Sequence, residues 1–577
     1  MQKYSIRENN IPEEIKKELK VYPELLQQLL FFRSIENRVD AERFLNPDYY
    51  RDTHNPFLMK DMEKAVGRIL KAIENDEKIL IYSDYDADGI PGAVVLHDFF
   101  KKIGFQNFEN YIPHRHNEGY GLNLEAIKEF KDKNINLVIT IDCGITDIKE
   151  VDEINNSGID VIITDHHIVG EKIPNAFAIL NHQQSDCDYP EKVLSGAGVV
   201  FKLIQALISS VFASAKHEAI QKKLSKGWEK WLLDMVGLAT ISDMVSLKGE
   251  NRVFSYFGMT VLKKTSRLGL VHLLRRLKID QKTLTEDDIA FMITPRINVA
   301  SRIDDPIKSF KLLSTEIETE AGELAVFLDN INDHRKTMVA SQTKEANKKL
   351  KEREIGEVVV VGSPKWNPGV SGLVATSLVE KYQKTCFVWG RDGNGEIKGS
   401  CRSCGEIDVV DLMKNVEEKI FTNIGGHKMA GGFSVLKDKI HLLEEGLNTA
   451  FGKVEKNGSK TELVVDKKIF IEDINWENYK IIEKLAPFGI DNPKPLFLIE
   501  GVEIFDVRIF GKQNNHLGLD FLNSKGQKIS AIQFFSDKIK RIETKLMRGQ
   551  KVNILVNLEK STFRNVNELR LRIVDFV

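Results

Sequence analysis

Three short β-branched runs in the first third of this chain each stop at residues that bind metal ions. Ile79-Leu-Ile-Tyr-Ser83 leads into Asp84-Tyr85-Asp86-Ala87-Asp88-Gly89. Leu137-Val-Ile-Thr-Ile141 ends at Asp142, and Asp160-Val-Ile-Ile-Thr164 ends at Asp165-His166-His167. Amphipathic helices are predicted between them, over 61–75, over 92–100 and around 148–155. Strands alternating with helices imply a parallel sheet, whose ligands gather beyond the carboxyl edge at a switch point. Carboxylates and imidazole converging on such an edge are what a divalent-metal hydrolase requires.

Each motif has a plainer reading. Asp84-x-Asp86-x-Asp88-Gly89 also opens a calcium EF-hand loop, but the twelfth position from Asp84 is Val95, not Glu, and no helix precedes it. A strand-end Asp such as Asp142 often caps the next helix. A His pair after a strand is often just packed or exposed. Found together, these alternatives lose their force. Carboxylates so close in sequence cannot share a site ionised without cations between them. Oxygen and imidazole ligands without thiolate favour Mn²⁺ or Mg²⁺ over structural zinc.

At 577 residues the chain is too long for one core, and it divides into about three or four domains. The expected limits are a helical N-terminal segment (1–54), a parallel-sheet domain (55–260), a helical connector (261–355), a second α/β domain (356–452) and a small β-barrel (453–577). The connector ends in a long helix between Glu316 and Glu354, apolar at Ala325, Leu328 and Ile331 and strongly charged from Lys344, as for a solvated helix joining two domains. After the polar linker Lys456-Asn457-Gly458-Ser459-Lys460, strands are predicted over 502–509, 516–521, 529–535, 552–558 and 569–576, the pattern of an OB-type barrel. From Gly501 to Val577 there are 14 Lys and Arg against 8 Asp and Glu, although the whole chain carries −2. A basic terminal module beside an acidic body suggests a polyanionic substrate. Five cysteines make no disulfide framework, and Cys401-Arg-Ser-Cys404 lacks a second pair for zinc. No apolar stretch is expected to span a membrane, and the N-terminus lacks a signal-peptide core, so the expected location is the cytoplasm.

Taken in order, the Asp84–Gly89 run, Asp142, Asp165-His166-His167 and Ser242-Asp243 resemble the motifs of the DHH phosphoesterase superfamily. Nearly the whole chain is similar to the RecJ family within it, bacterial exonucleases that degrade single-stranded DNA from the 5′ end. Pro113–Leu122, Ser195–Gly198 and Pro295–Arg302 resemble further motifs of the first domain. Trp366–Gly372, Gly399–Ser403 and Gly425–Gly432 resemble the DHH-associated domain, and Pro487–Pro495 with the terminal barrel completes the match. The chain departs from the family pattern at Asn367, Ser377, Gly431 and Asp491, none of them a proposed metal ligand.

The resemblance implies roles. Asp86, Asp88, Asp142, His166 and Asp243 would hold two divalent ions, Mn²⁺ or Mg²⁺, with Asp142 bridging and Asp84 a further ligand or an orienting neighbour. His167 would contact the scissile phosphate, and Asp165 would orient an imidazole. Ser400 and Arg402 would engage a terminal phosphate, helped by Arg296, Asn298 or Arg302. Gly425, Gly426 and His427 would approach a phosphate, unless the glycine pair is only a turn. Arg115 and Tyr120 would hold backbone and stack a base, with Tyr120 as plain core the alternative. The implied activity is two-metal hydrolysis of single-stranded DNA to 5′-mononucleotides in recombination and repair. The implied partners are a single-strand-binding protein and a helicase, with the chain a monomer. Two alternatives are a DHH phosphodiesterase of short oligonucleotides or cyclic dinucleotides, and a non-catalytic DNA-binding replication scaffold. The former usually lacks the barrel, and the latter loses ligands that are present here.

Overall fold

The computed structural model describes residues 4–577 except 9, 394, 418, 457–461, 512–514, 535–545 and 562–566. The core of the polar linker and the last position of the strand expected over 529–535 lie outside the described residues.

The first lobe is built on five parallel strands in the order Phe108–Tyr111, Ile79–Ser83, Leu137–Ile141, Asp160–Thr164, Ala178–Leu180. Helices cover both faces, so the central strands are continuous buried apolar runs rather than alternating ones. The two outer strands go beyond the three expected. At four and three residues they are too short to leave a periodic signal. Register aligns the strand ends. Ser83 pairs with Ile141 and Ile141 with Thr164, so three strands end level and present Asp84, Asp142 and Asp165 side by side.

One apolar core runs from Tyr49 to Leu328. The segment expected as a connector therefore belongs to this lobe up to Leu328, because Leu270, Leu273, Ile289, Ile297 and Leu312 pack into the same cluster. The helix Glu318–Lys351 leaves it. Its charged end is not simply solvated, since Ala346 and Leu350 are buried in the second lobe. Contrary to expectation, one helix, Gly196–Ala213, is long and apolar enough to cross a membrane. It is a core helix, two-thirds buried, and carries a fully buried Lys202 paired with Glu250 at 2.7 Å.

The second lobe is a mixed sheet in the order Phe421–His427, Ala430–Val435, Ile397–Arg402, Thr385–Arg391, Val358–Gly362, with only the last pair parallel. The terminal module is a closed barrel of Phe497–Phe510, His516–Leu522, Lys528–Gln533, Lys551–Ser561 and Glu568–Phe576. Pairing of its first strand with Lys551–Ser561 and a parallel contact between Lys528–Gln533 and Glu568–Phe576 complete the closure. The N-terminal segment is not wholly helical, because Tyr4–Ile6 forms a parallel strand with Leu463–Val465. Its helices pack on the barrel.

The motif Pro487–Pro495 is where these parts are pinned. Arg252, buried on the helix Gly249–Leu262, donates to the carbonyls of Phe44, Leu485, Ala486 and Pro487, with the Phe44 ring 4.2 Å away. Arg33 donates to Asn492 Oδ1 at 2.7 Å and to the Pro493 carbonyl. Two guanidiniums thus fasten the first lobe and the N-terminal helices to the segment that leads into the barrel. Arg252→Ala should leave several buried carbonyls unpaired, each costing about 1–3 kcal/mol. We expect the first chemical-denaturation transition of the full chain to lose about 3 kcal/mol or more. A loss below about 1 kcal/mol would show that the arginine is not a fastener.

Candidate active site

The level strand ends create a single pocket of about 230 Å³. Asp84, Asp86, Asp142, His166, His167, Asp243, Arg115, Tyr120, Asn298 and Arg302 all line it, together with Tyr85 and Ser301. Side chains from positions 84 to 302 thus converge on one cavity.

The backbone has to bend sharply to do this. Asp142 takes φ +61°, a conformation uncommon for a non-glycine residue, turning its carboxylate back over the sheet edge. A Cβ on Gly89 would lie 2.5 Å from the Asp84 carbonyl oxygen, and one on Gly196 would lie 2.7 Å from Asp142 Cβ. Only glycine fits either place. The Ser195–Gly198 motif has a further role. The backbone N–H groups of Gly196 and Ala197 donate to the Asp88 carboxylate at 2.5 and 2.8 Å, while Ser195 Oγ caps the same helix. Asp88 is thereby held at a helix N-terminus, where its charge is favoured. Asp243 is the residue that ends the helix Leu233–Ser242.

Three overlapping groups of ligand atoms result, each with its atoms within 4.8 Å of one another: Asp84, Asp86 and Asp142; Asp88, His166 and Asp243; Asp142, His166 and His167. His166 Nε2 stands 3.1 Å from Asp142 Oδ1, 3.6 Å from Asp88 Oδ2 and 3.7 Å from Asp243 Oδ2. Burial and then mutual repulsion push the carboxyls of Asp84, Asp88 and Asp142 upward, and Asp243 up to about 8. Asp84 Oδ1 is buried without a hydrogen-bond partner. Crowded anionic oxygens that protein donors leave unsatisfied fit divalent cations.

His167 is set apart from its neighbour. Its Nδ1 lies 2.8 Å from Asp165 Oδ1 and 3.2 Å from the Tyr120 hydroxyl, which donates to the Asp142 carbonyl. Burial opposes a charge on this ring, but the Asp165 hydrogen bond and the Asp142 charge outweigh it and raise its pKa to about 9. Tyr120 is 48% exposed, which removes the core reading.

A cationic wall faces the carboxylates. Arg115 lies over the Tyr85 ring at 5.2 Å. Burial, then the charges of Arg115, Arg335 and Arg402, lower Arg302 to about 9. Arg402, from the second lobe, is lowered by burial and by Arg115 as well. Its Nη2 would lie 2.9 Å from a Cβ on Gly372, at the start of the helix Ser371–Tyr382. Ser400 precedes Arg402 on the same face of its strand. His427 reaches over from the second lobe, its ring parallel to His167 with centroids 6.5 Å apart. Gly425 and Gly426 sit in the hairpin behind it. Gly426 has φ +134°, and a Cβ there would lie 2.4 Å from the Ala430 carbonyl oxygen, so the hairpin itself requires glycine.

Arg296 does not reach this pocket. It is buried and binds Asp329 of the long helix and the Met292 carbonyl, so it joins two helices instead. Tyr85 and Ser301 line the pocket without having been singled out from sequence. Ser301 sits one helical turn past Asn298, the spacing that would have found it.

Family models match the chain as "DHH family, N-terminal domain" over 78–240, "DHHA1 domain" over 355–453 and "RecJ OB domain" over 465–575. The single-stranded-DNA-specific exonuclease RecJ of Bacillus subtilis is 33% identical over 554 residues, covering 96% of this chain and 67% of that protein. The chain belongs to the RecJ family. The Haemophilus influenzae RecJ exonuclease is 29% identical, with 96% of each chain covered. The crystal structure of RecJ from Thermus thermophilus in complex with Mn²⁺ matches with a TM-score of 0.79 at 24% identity, over 100% of this chain and 79% of that one, and so agrees in fold. A crystal structure of exonuclease RecJ bound to manganese matches with a TM-score of 0.58 at 29% identity, over 68% of this chain and 95% of that one.

The raised carboxyl pKa values have a measurable sign. The folded protein holds protons that the unfolded chain, with Asp near 3.9, releases. This contribution to stability is full below about pH 4 and is lost as pH rises through the folded values, passing about 8 for Asp243. Divalent ions compete with those protons. The rise in melting temperature on adding Mn²⁺ to chelator-stripped protein should therefore be larger at pH 8 than at pH 6. An equal or larger rise at pH 6 would contradict the ligand assignment.

Proposed function

We propose that this chain is a single-stranded-DNA-specific 5′→3′ exonuclease that uses two divalent ions, Mn²⁺ or Mg²⁺, and releases 5′-mononucleotides. The observation that carries the reading is one pocket with a carboxylate–imidazole wall opposite an arginine wall, in a chain of the RecJ family. Asp84, Asp86 and Asp142 would hold one ion and Asp88, His166 and Asp243 the other, with Asp142 between them. When bound, such ions supply Lewis acidity to a phosphodiester and to water.

The chain's own groups do the rest. Asp165 and Tyr120 hold His167 at Nδ1, and Asp165 with Asp142 favours the charged ring, leaving Nε2–H as a donor for a phosphate oxygen. Arg115, Arg302 and Arg402 are crowded cations with unfilled donors, suited to the terminal phosphate of a strand. Ser400 and His427 close that end from the second lobe. The 5′ polarity rests on this phosphate grip, which resembles the family's motif around Ser400 and Arg402. The closed barrel favours a strand over a dinucleotide as substrate. The full set of ligands weighs against a scaffold that has lost catalysis. We further propose a cytoplasmic, monomeric enzyme of recombination and repair, working beside a single-strand-binding protein and a helicase.

The test is a single-stranded oligonucleotide labelled at each end and digested with and without Mn²⁺. Shortening only from the 5′ end, dependent on the ion, is expected. Shortening from the 3′ end alone, or cleavage restricted to dinucleotides, would reject the reading. Asp142→Ala should reduce turnover by at least about two orders of magnitude while strand binding, read by fluorescence anisotropy, largely persists.

A further inference from the structure

The exonuclease reading leaves the path of the strand beyond the scissile nucleotide undefined, and the residues between the pocket and the barrel supply one. A π-helical turn, Asp288–Ile293, runs directly into the helix Thr294–Ile303, whose Asn298, Ser301 and Arg302 line the pocket. A hydrogen bond of 2.6 Å between Ser242 Oγ and Thr294 Oγ1 ties this junction to the end of the helix that carries Asp243. Within the π-turn, Ile289 and Ile293 are fully buried, while Phe291 between them is 63% exposed. The turn is anchored, so its aromatic ring is presented outward rather than released by fraying. Met244, next to Asp243 at φ +60°, is 68% exposed.

The far end of the π-turn meets the barrel. Asp287 is paired with Lys494 and lies 3.9 Å from Arg572 Nη1. Beyond it the Phe534 ring is flanked by the guanidiniums of Arg570 at 5.6 Å and Arg572 at 5.4 Å, with His516 edge-on at 5.4 Å. Along the chain Phe291 thus lies between Asp287, which touches Lys494 and Arg572 of the barrel side, and Asn298 of the catalytic pocket. Seven residues separate it from Asn298, about 10 Å of helix. That is about three nucleotides at the stacked spacing of ~3.4 Å.

We propose that Phe291 is a stacking step for the nucleobases that come after the scissile nucleotide, guiding the single strand from the Phe534–Arg572 face into the pocket. The inference rests on the exonuclease reading. A solitary exposed phenylalanine is ordinary on a protein surface. This one is fixed in a π-turn, a local structure frequent at functional sites, within the short segment that joins the pocket residues to the barrel contact. Stacking needs only the face of a base, so the step is indifferent to sequence, as a general exonuclease requires.

The experiment places 2-aminopurine at successive positions from the 5′ end of a single-stranded oligonucleotide and reads its quenching on the full-length protein, with Ca²⁺ replacing the catalytic ion. At one or two positions about three nucleotides from the end, the wild type should quench fluorescence, Phe291→Ala should abolish the quenching and Phe291→Trp should restore it. The gain in affinity on lengthening the strand from about three to about eight nucleotides should shrink about fivefold or more in Phe291→Ala. Equal quenching and equal length dependence in Phe291→Ala and wild type would overturn the stacking step alone. Failure of the wild type to shorten any single strand would instead remove the exonuclease reading beneath it. The ring is exposed, so an unchanged melting temperature in Phe291→Ala is the check that folding is intact.

Discussion

Like charges held close together in a buried place are the constraint on which the rest of this molecule turns. Three strands that end level put Asp84, Asp142 and Asp165 in one row, and Asp88, Asp243 and two histidines close over them. In an interior of low effective dielectric such a group repels itself strongly. The protein answers each charge differently. Asp165 is satisfied by backbone N–H groups and His167, which hold it below the usual carboxylate range despite its burial. Asp88 rests on a helix N-terminus. Asp84 and Asp142 receive no comparable donors, an oxygen of each being buried without a hydrogen-bond partner, and burial with mutual repulsion leaves them, like Asp88 and Asp243, with raised pKa values.

The opposite wall repeats the logic with the sign reversed. Burial, and then the charges of Arg115 and of Arg402 from the second lobe, lower Arg302, while burial and then Arg115 lower Arg402. Elsewhere inner guanidiniums meet carboxylates or carbonyls: Arg267 with Asp98 and Asp234, Arg296 with Asp329, and Arg252 with four backbone carbonyls. Around the pocket it leaves a basic cluster beside an acidic one without joining them. A site with separated poles is poised for a ligand that is itself anionic and is bridged by cations, which describes a phosphodiester.

Much of this is legible in the residues because the signals are local. A buried strand is a short apolar run, and a ligand at its end is the next residue in sequence, so the sequence alone places Asp84, Asp86, Asp142 and His166. The five barrel strands are visible for the same reason. What escapes is rotational or long-range. Arg296 and Arg302 share one helix but are six residues apart, so they project about 240° apart at 100° per residue. Nothing in the sequence says which of them faces the pocket; Arg302 does, and Arg296 faces Asp329. The connector misleads because charge and length resemble a linker, whereas its burial depends on which lobe its apolar stripe meets. Arg252 leaves no signal at all, since its partners are backbone carbonyls, which every residue carries.

That last class of contact decides whether the site exists. His427 stacks on His167 only if the second lobe is held over the first, and the tie is the helix Glu318–Lys351, anchored by Ala325 and Leu328 in one core and by Ala346 and Leu350 in the other. A continuous helix is a stiff spacer because every internal N–H and C=O is already bonded along its own axis. Arg302 completes the join locally: its carbonyl receives His116 Nε2 at 2.7 Å, and its guanidinium reaches the Gly369 carbonyl across the seam. The barrel is fastened separately through Arg252 and Asn492. Carboxylates therefore come from one lobe, the arginine cluster is shared by two, and the alignment between them is set by packing tens of residues away. A substitution in either anchor of the long helix would reach the pocket as a shift of His427 and Arg402 relative to the carboxylates, with every ligand still in place.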